Sequence, residues 1–278
     1  MTATCSPFTV RLIGFSPEES ARLDTMLSDV PGAGPSYFCL HDYSLQEPDV
    51  VIVNGDSAAA VARLDCLPPG ALHCALVIGA PDATLWPTLA RPLERLVLHD
   101  VLADLLDQRV QAQAACVARG ERLRPERRRR LRIGPDTESP DFYARLRHGP
   151  PDGAVLIVDK ESTFHNQVAR VLGERAPARR RPLAWTDSAR AAVRLCDETP
   201  VSLVMINTAA PEIEPYGLCS TIKSQAGAGR TPVLFLVEHA FRYDVARGRH
   251  AGVRGLLDKP VAGRHLMMTF HKLLDLPV

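Results

Sequence analysis

Side chains able to do chemistry gather at a few points in this chain. Asp159-Lys160 closes the apolar run Ala154–Val158, and Asn207 closes Leu203–Ile206. Val237 ends the run that starts at Val233, and Lys259-Pro260 follows Gly255–Asp258. A carboxylate, a carboxamide and an ammonium ion at such points can form one polar hub. Asp159 and Lys259 can pair with each other, or both can hydrogen-bond Asn207. The first half carries a second set, in which Asn54 closes Asp49–Val53 and Arg91-Pro92 mirrors Lys259-Pro260.

A different chemistry is offered by arginine. Residues 119–132 hold eight arginines, four of them consecutive (Arg127, Arg128, Arg129, Arg130), and Arg179, Arg180 and Arg181 form a smaller group. Guanidinium forks suit phosphates, whether of nucleic acid or of a nucleotide second messenger such as a cyclic dinucleotide. Consecutive arginines spread round every face of a helix, and the absence of interleaved aromatics argues against stacking on single strands. A solvated linker is the plainer account of the longer run. The chain as a whole has 29 arginines and only four lysines, a bias that genome composition explains without local function.

Other chemistries lack their signatures. The seven cysteines form no C-x-x-C pair, and no histidine stands at ligand spacing from Cys or Glu. Neither a glycine-rich phosphate loop nor a nucleophile elbow is present, so no metal, cofactor or catalytic residue is expected. Scattered thiols among apolar residues fit a reducing compartment. No apolar stretch approaches the roughly 18 residues of a membrane span, and Met1–Ser6 has no signal-peptide pattern. The expectation is a soluble, cytoplasmic protein with no membrane partner. With 46% apolar residues and a formal charge of +1 it is globular, and its average charge predicts no particular partner.

The elements that must hold these residues are legible from periodicity. In the second half, three buried runs alternate with helical faces at Phe164/Val168/Val171/Leu172, Leu218/Ile222, Phe241/Val245 and Leu266/Phe270/Leu273/Leu274. Alternation of this kind means a parallel sheet with helices on both faces, whose ligands sit beyond the carboxyl ends of the strands. The first half repeats the pattern with runs at Val10–Ile13, Asp49–Val53 and Cys74–Ile78. Ser16-Pro-Glu-Glu19 opens its first helix as a capping box. Asn54 and Arg91 are 37 positions apart, against 52 for Asn207 and Lys259, so a helix between the last two strands is expected to be shortened or lost. The helix after Arg91-Pro92, through Leu96, Val97, Val101, Leu105 and Leu106, has a wide apolar face. Its excess could pack against the other domain or a second copy, as in a homodimer.

Over residues 153–276 the chain resembles the receiver domain of two-component response regulators. The marks are Asp159, Asn207 with Pro211 four residues on, Gly217–Cys219, Thr231-Pro232, and Lys259-Pro260, in the family's order and spacing. The first half resembles the same family more faintly, through the internal repeat. The resemblance implies a Mg²⁺ ion held by two acids after the first strand and by an acceptor aspartate after the third. It also implies a hydroxyl on the fourth strand, a switch aromatic on the fifth, and a charge-neutralising lysine. Here Lys160 replaces one acid, Asn207 the acceptor, Val237 the hydroxyl and Leu256 the aromatic. In the first half Gly14-Phe15, Asn54 and Arg91 replace acids, acceptor and lysine.

The fold class expected is α/β, with two flavodoxin-like doubly wound domains at 7–110 and 153–278 and an Arg/Pro-rich linker at 111–152. The function expected is a non-enzymatic, phosphorylation-independent adaptor that binds another signalling or regulatory protein. Receivers commonly use the face of the last strand and last two helices for such contacts. The alternative is a sensor of a nucleotide or nucleic acid through the arginine clusters.

Overall fold

The structure is a computed structural model that describes residues 7–30, 34–64, 73–79, 84–119, 153–175 and 181–274. Its contacts divide the chain into two units, Met1–Asp42 with Glu47–Pro135, and Tyr43–Gln46 with Asp136–Val278.

The first unit runs β1 (Phe8–Ile13), α1 (Pro17–Ser28), β2 (Tyr37–Cys39), β3 (Val50–Asn54), α2 (Ala58–Leu64), β4 (Cys74–Ile78), β5 (Thr88–Leu89) and α3 (Arg95–Ala118). The capping box forms at α1: Ser16 Oγ accepts from Glu19 N at 3.3 Å, and Glu19 Oε2 accepts from Ser16 N at 3.1 Å. Two orphan amides of the first turn are thereby satisfied. All strand pairs are parallel, in the order β2-β1-β3-β4-β5. Every residue of β3 and β4 is buried, which is why both read as unbroken apolar runs rather than alternations. One core layer holds Val10, Ile52, Leu76, Leu98 and Leu102; the other holds Ile13, Val51, Val53, Val77 and Trp86. Between β4 and β5 none of the described residues is helical, in keeping with the short spacing there. Helix α3 continues through residues 111–118.

The second unit runs β6 (Ala154–Val158), α4 (Thr163–Arg175), β7 (Leu183–Thr186), α5 (Ala189–Glu198), β8 (Val201–Asn207), α6 (Pro215–Ser224), β9 (Val233–Val237), α7 (Val245–Ala251), β10 (Gly255–Asp258) and α8 (Gly263–Leu274). Its strands are parallel in the order β10-β9-β8-β6-β7. Both sheets, numbered within their own units, have the order 2-1-3-4-5. That is the flavodoxin-like doubly wound arrangement, with its crevice where the first and third strands end. Phe235, Val204 and Leu156 pack on one face of the sheet, and Leu234, Met205, Ile157 and Phe270 on the other. Side-chain caps start three helices: Ser188 at α5, Glu214 at α6 and Asp244 at α7.

Residues Tyr43–Gln46, counted in this second unit, finish its β10 edge. Leu45 N donates to Leu256 O at 2.9 Å, and Gln46 Oε1 accepts from Asp258 N at 2.7 Å. Gly255 leaves room for Leu45, whose Cγ lies 2.6 Å from where a Cβ would stand. An exposed strand edge is thus covered.

Candidate functional site

In the second unit, the β6–β8 register pairs Val158 with Ile206, so Asp159 and Asn207 emerge side by side beyond the strand ends. The β9–β10 register pairs Val237 with Asp258. Lys259 N donates to Val237 O at 2.8 Å, which brings Lys259 to the same crevice. The Lys259–Pro260 peptide bond is cis.

These three side chains form one hydrogen-bonded chain centred on the carboxamide. Asn207 Nδ2 donates to Asp159 Oδ1 at 2.7 Å, and Lys259 Nζ donates to Asn207 Oδ1 at 2.8 Å. Ala209 N also donates to Asn207 Oδ1, at 3.1 Å, closing a turn on the side chain. Of the two arrangements the residues allow, the structure has both ions bonded to the amide. Asp159 and Asn207 are 5% and 7% exposed, which makes each bond costly to lose. Lys259 additionally lies 3.9 Å from the exposed Glu238 carboxylate.

The amide sits between opposite charges, with its donor toward the anion and its acceptor toward the cation. It satisfies both, and a neutral carboxamide is too weak a nucleophile to take a phosphoryl group. Lys160 is exposed and lines a small depression with Asp187, Pro211 and Glu212. Val237 and Leu256 are both fully buried, so aliphatic packing fills the positions where the resemblance implies a hydroxyl and a mobile aromatic. The donor set does not suit Mg²⁺. A hard divalent ion wants several carboxylate oxygens, whereas Asp159 Oδ1 is taken by the amide and Asn207 Oδ1 by an ammonium and a backbone N–H. Among the described residues no three His, Cys, Asp or Glu side chains gather as a metal site.

The first unit builds the same hub with different ions. Asn54 Nδ2 donates to Gly14 O at 2.9 Å, and Arg91 Nη2 donates to Asn54 Oδ1 at 3.2 Å. Asp56 N donates to the same Oδ1 at 3.1 Å, just as Ala209 N does in the second unit. Arg91 also pairs with Glu19 Oε1 at 2.9 Å and with Asp56 Oδ2 at 3.3 Å. The Glu19 carboxyl is held below its usual value, first by the Ser16 amide and hydroxyl and further by Arg91. Gly14, whose carbonyl takes the place of a carboxylate, has φ of 81°, a left-handed conformation suited to glycine.

Glu19 and Asp56 were not singled out from sequence as site residues. Asp56 lies two residues beyond Asn54, where the second half has Ala209, so the repeat gives no signal for its carboxylate. Glu19 was already explained by its capping role, and nothing local signals its second partner.

Arg127, Arg128, Arg129, Arg130, Arg179 and Arg180 lie outside the described residues. Arg181 Nη2 donates to Leu274 O at 3.3 Å, at the carboxyl end of α8, where a cation is favoured by the helix dipole. Burial pushes the thiol of Cys196 up to about 11 and that of Cys219 up to about 12. Both are therefore inert, un-ionised core groups near neutral pH. Among the described residues no helix is long and apolar enough to cross a membrane.

Comparison with known proteins assigns the second unit. Residues 155–271 match the family model described as the response regulator receiver domain. The response regulator PleD of Caulobacter vibrioides is 28% identical over 114 residues, which is 41% of this chain and 24% of that protein. The chain thus spans about a quarter of the length of that curated relative. Among solved structures, a putative response regulator from Chloroflexus aurantiacus is 21% identical, with a TM-score of 0.38 over 45% of this chain and 98% of that one. The chemotaxis protein CheY4 of Vibrio cholerae is 18% identical, with a TM-score of 0.39 over 44% of this chain and 99% of that one.

Proposed function

We propose that this receiver-domain protein of the two-component type is a phosphorylation-independent adaptor without catalytic activity. It works by binding another signalling or regulatory protein through the surfaces of its units. The observation that carries the reading is the Asn207 amide, bonded at 2.7 Å to Asp159 and at 2.8 Å to Lys259. A receiver that signals by phosphorylation needs a carboxylate at that point and vacant oxygens for a metal. This crevice offers an amide whose nitrogen already donates to Asp159 and whose oxygen already accepts from Lys259 and Ala209 N. The first unit supports the same reading, since Asn54 is engaged by Arg91, Gly14 and Asp56 in the equivalent way.

Partner capture from native lysate, with and without acetyl phosphate and Mg²⁺, tests the proposal. The expected result is one protein partner retained equally under both conditions. A partner that binds only after acetyl phosphate treatment would contradict it. Nucleic acid or nucleotide recovered by the wild type and lost when Arg127–Arg130 become alanine would move the function to the arginine run.

A further inference from the structure

Strand β10 is the outer strand of its sheet. Such an edge presents backbone donors and acceptors to which another extended chain can add. Tyr43–Gln46, a segment of the same unit by its contacts, takes that place. It uses little of the edge: Asp42 and Tyr43 form a turn, and Ser44 opposite Leu256 is an isolated parallel bridge. Leu45 N donates to Leu256 O at 2.9 Å. Further along β10, Asp258 N donates to a side chain, Gln46 Oε1, at 2.7 Å.

Side chains do most of the holding, each in its own seat. Leu45 fills the space that Gly255 leaves open and packs with the core layer of Leu234 and Phe270. Tyr43 meets Tyr243 at 5.6 Å between ring centroids, beside the layer that holds Phe235. Gln46 is 3% exposed, and its Nε2 donates to His265 Nδ1 at 3.1 Å. His265 is itself buried in the first turn of α8, so the carboxamide ties the strand edge to that helix. In strand addition, backbone bonds hold any extended chain, whereas side-chain seats select among sequences. A space over a glycine takes leucine, and a buried backbone donor beside an imidazole takes an amide, which both accepts and donates.

We infer that the β10 edge, with Gly255, Asp258 N and His265, is a strand-addition site for an extended aromatic-x-Leu-Gln segment of a partner protein, and that Tyr43–Gln46 is its resident occupant. The site presupposes the adaptor reading proposed above and gives that adaptor a surface and a partner chemistry. One bridge and three side-chain seats hold the resident, so a partner segment of the same chemistry exchanges with it. Until then the edge stays closed, because an occupant on the same chain competes at an effective concentration of millimolar order.

The Asp258 amide signal in nuclear magnetic resonance spectra of the full chain tests this, with a synthetic peptide of residues 41–48 as the probe. In a Leu45→Ala/Gln46→Ala variant the peptide should return that signal toward its wild-type position, and should bind at least tenfold more tightly than to the wild type. Peptides carrying Leu45→Ala or Gln46→Ala should leave it unmoved. A vacated edge that ignores the peptide, or a wild type that binds it equally well, would overturn the site. Hydrogen exchange in the wild type needs no variant: the Asp258 amide should exchange at least tenfold faster than that of Lys259, which Val237 O holds inside the sheet. Equal rates would show a resident that leaves only on unfolding, and would overturn the exchange. A wild-type dimer made monomeric by the double substitution would assign the edge to a second copy instead of a partner protein. No phosphoryl donor enters these measurements, so their failure strikes the docking site alone and leaves the adaptor reading to the capture experiment.

Discussion

Asn207→Ala is the perturbation that the hub geometry makes most informative. The substitution removes the donor to Asp159 Oδ1 and the acceptor of Lys259 Nζ and Ala209 N. Two of these bonds involve an ion, worth about 1.5–3 kcal/mol each, and the third is neutral, worth about 1 kcal/mol. Lys259 is a quarter exposed, so water replaces part of its loss. Asp159 is 5% exposed and keeps a carboxylate facing a methyl group. The expected destabilisation is about 3 kcal/mol, and a shift of about 10 °C in the midpoint of the second unit. The two tryptophans make the units separable: Trp86 belongs to the first and Trp185 to the second. In a Trp86→Phe background, thermal unfolding followed by Trp185 fluorescence reads the second unit alone. A midpoint lowered by less than about 2 °C would refute the claim that the amide is the joint between the two ions.

Asn54→Ala should cost less, about 1–2 kcal/mol, because Arg91 retains Glu19 and Asp56; the readout is Trp86 fluorescence in a Trp185→Phe background. Alkaline pH should destabilise the second unit through its thiols. The folded pKa of Cys196 and Cys219 is raised by burial, to about 11 and about 12, from the ordinary thiol value of 9.0. The fold therefore keeps protons that the unfolded chain releases. Stability is complete below pH 9 and falls as pH rises toward the folded values, by about 1.4 kcal/mol per thiol over the first unit above 9. Thermal melts from pH 8 to 10 should show the decline, and a flat midpoint would contradict it.

Periodicity exposed the runs that are buried on both faces, because such strands need no alternation to be recognised. Val233–Val237 and Val50–Val53 announce themselves as unbroken aliphatics, and their polar stops mark the crevice. The short edge strands β2 and β5 were less legible, since three and two residues are too few to carry a period. At the hub, Asp159, Asn207 and Lys259 were visible as strand-end residues. Their bonding order was not, because pairing the two ions directly and bridging them through the amide use the same three side chains. The register of β6 against β8, together with Ala209 N on the amide oxygen, favours the bridge. Glu19 stayed hidden because Arg91 lies 72 positions further along the chain, and only the folded sheet brings the two together.

The central claim is that this crevice is closed to phosphoryl transfer. Intact-mass analysis of the full chain after incubation with acetyl phosphate and Mg²⁺ tests it directly, with an active receiver treated in parallel. The account predicts an unchanged mass for this protein and a phosphoryl adduct on the control. An adduct on this protein that is labile to hydroxylamine, as an acyl phosphate is, would contradict the account.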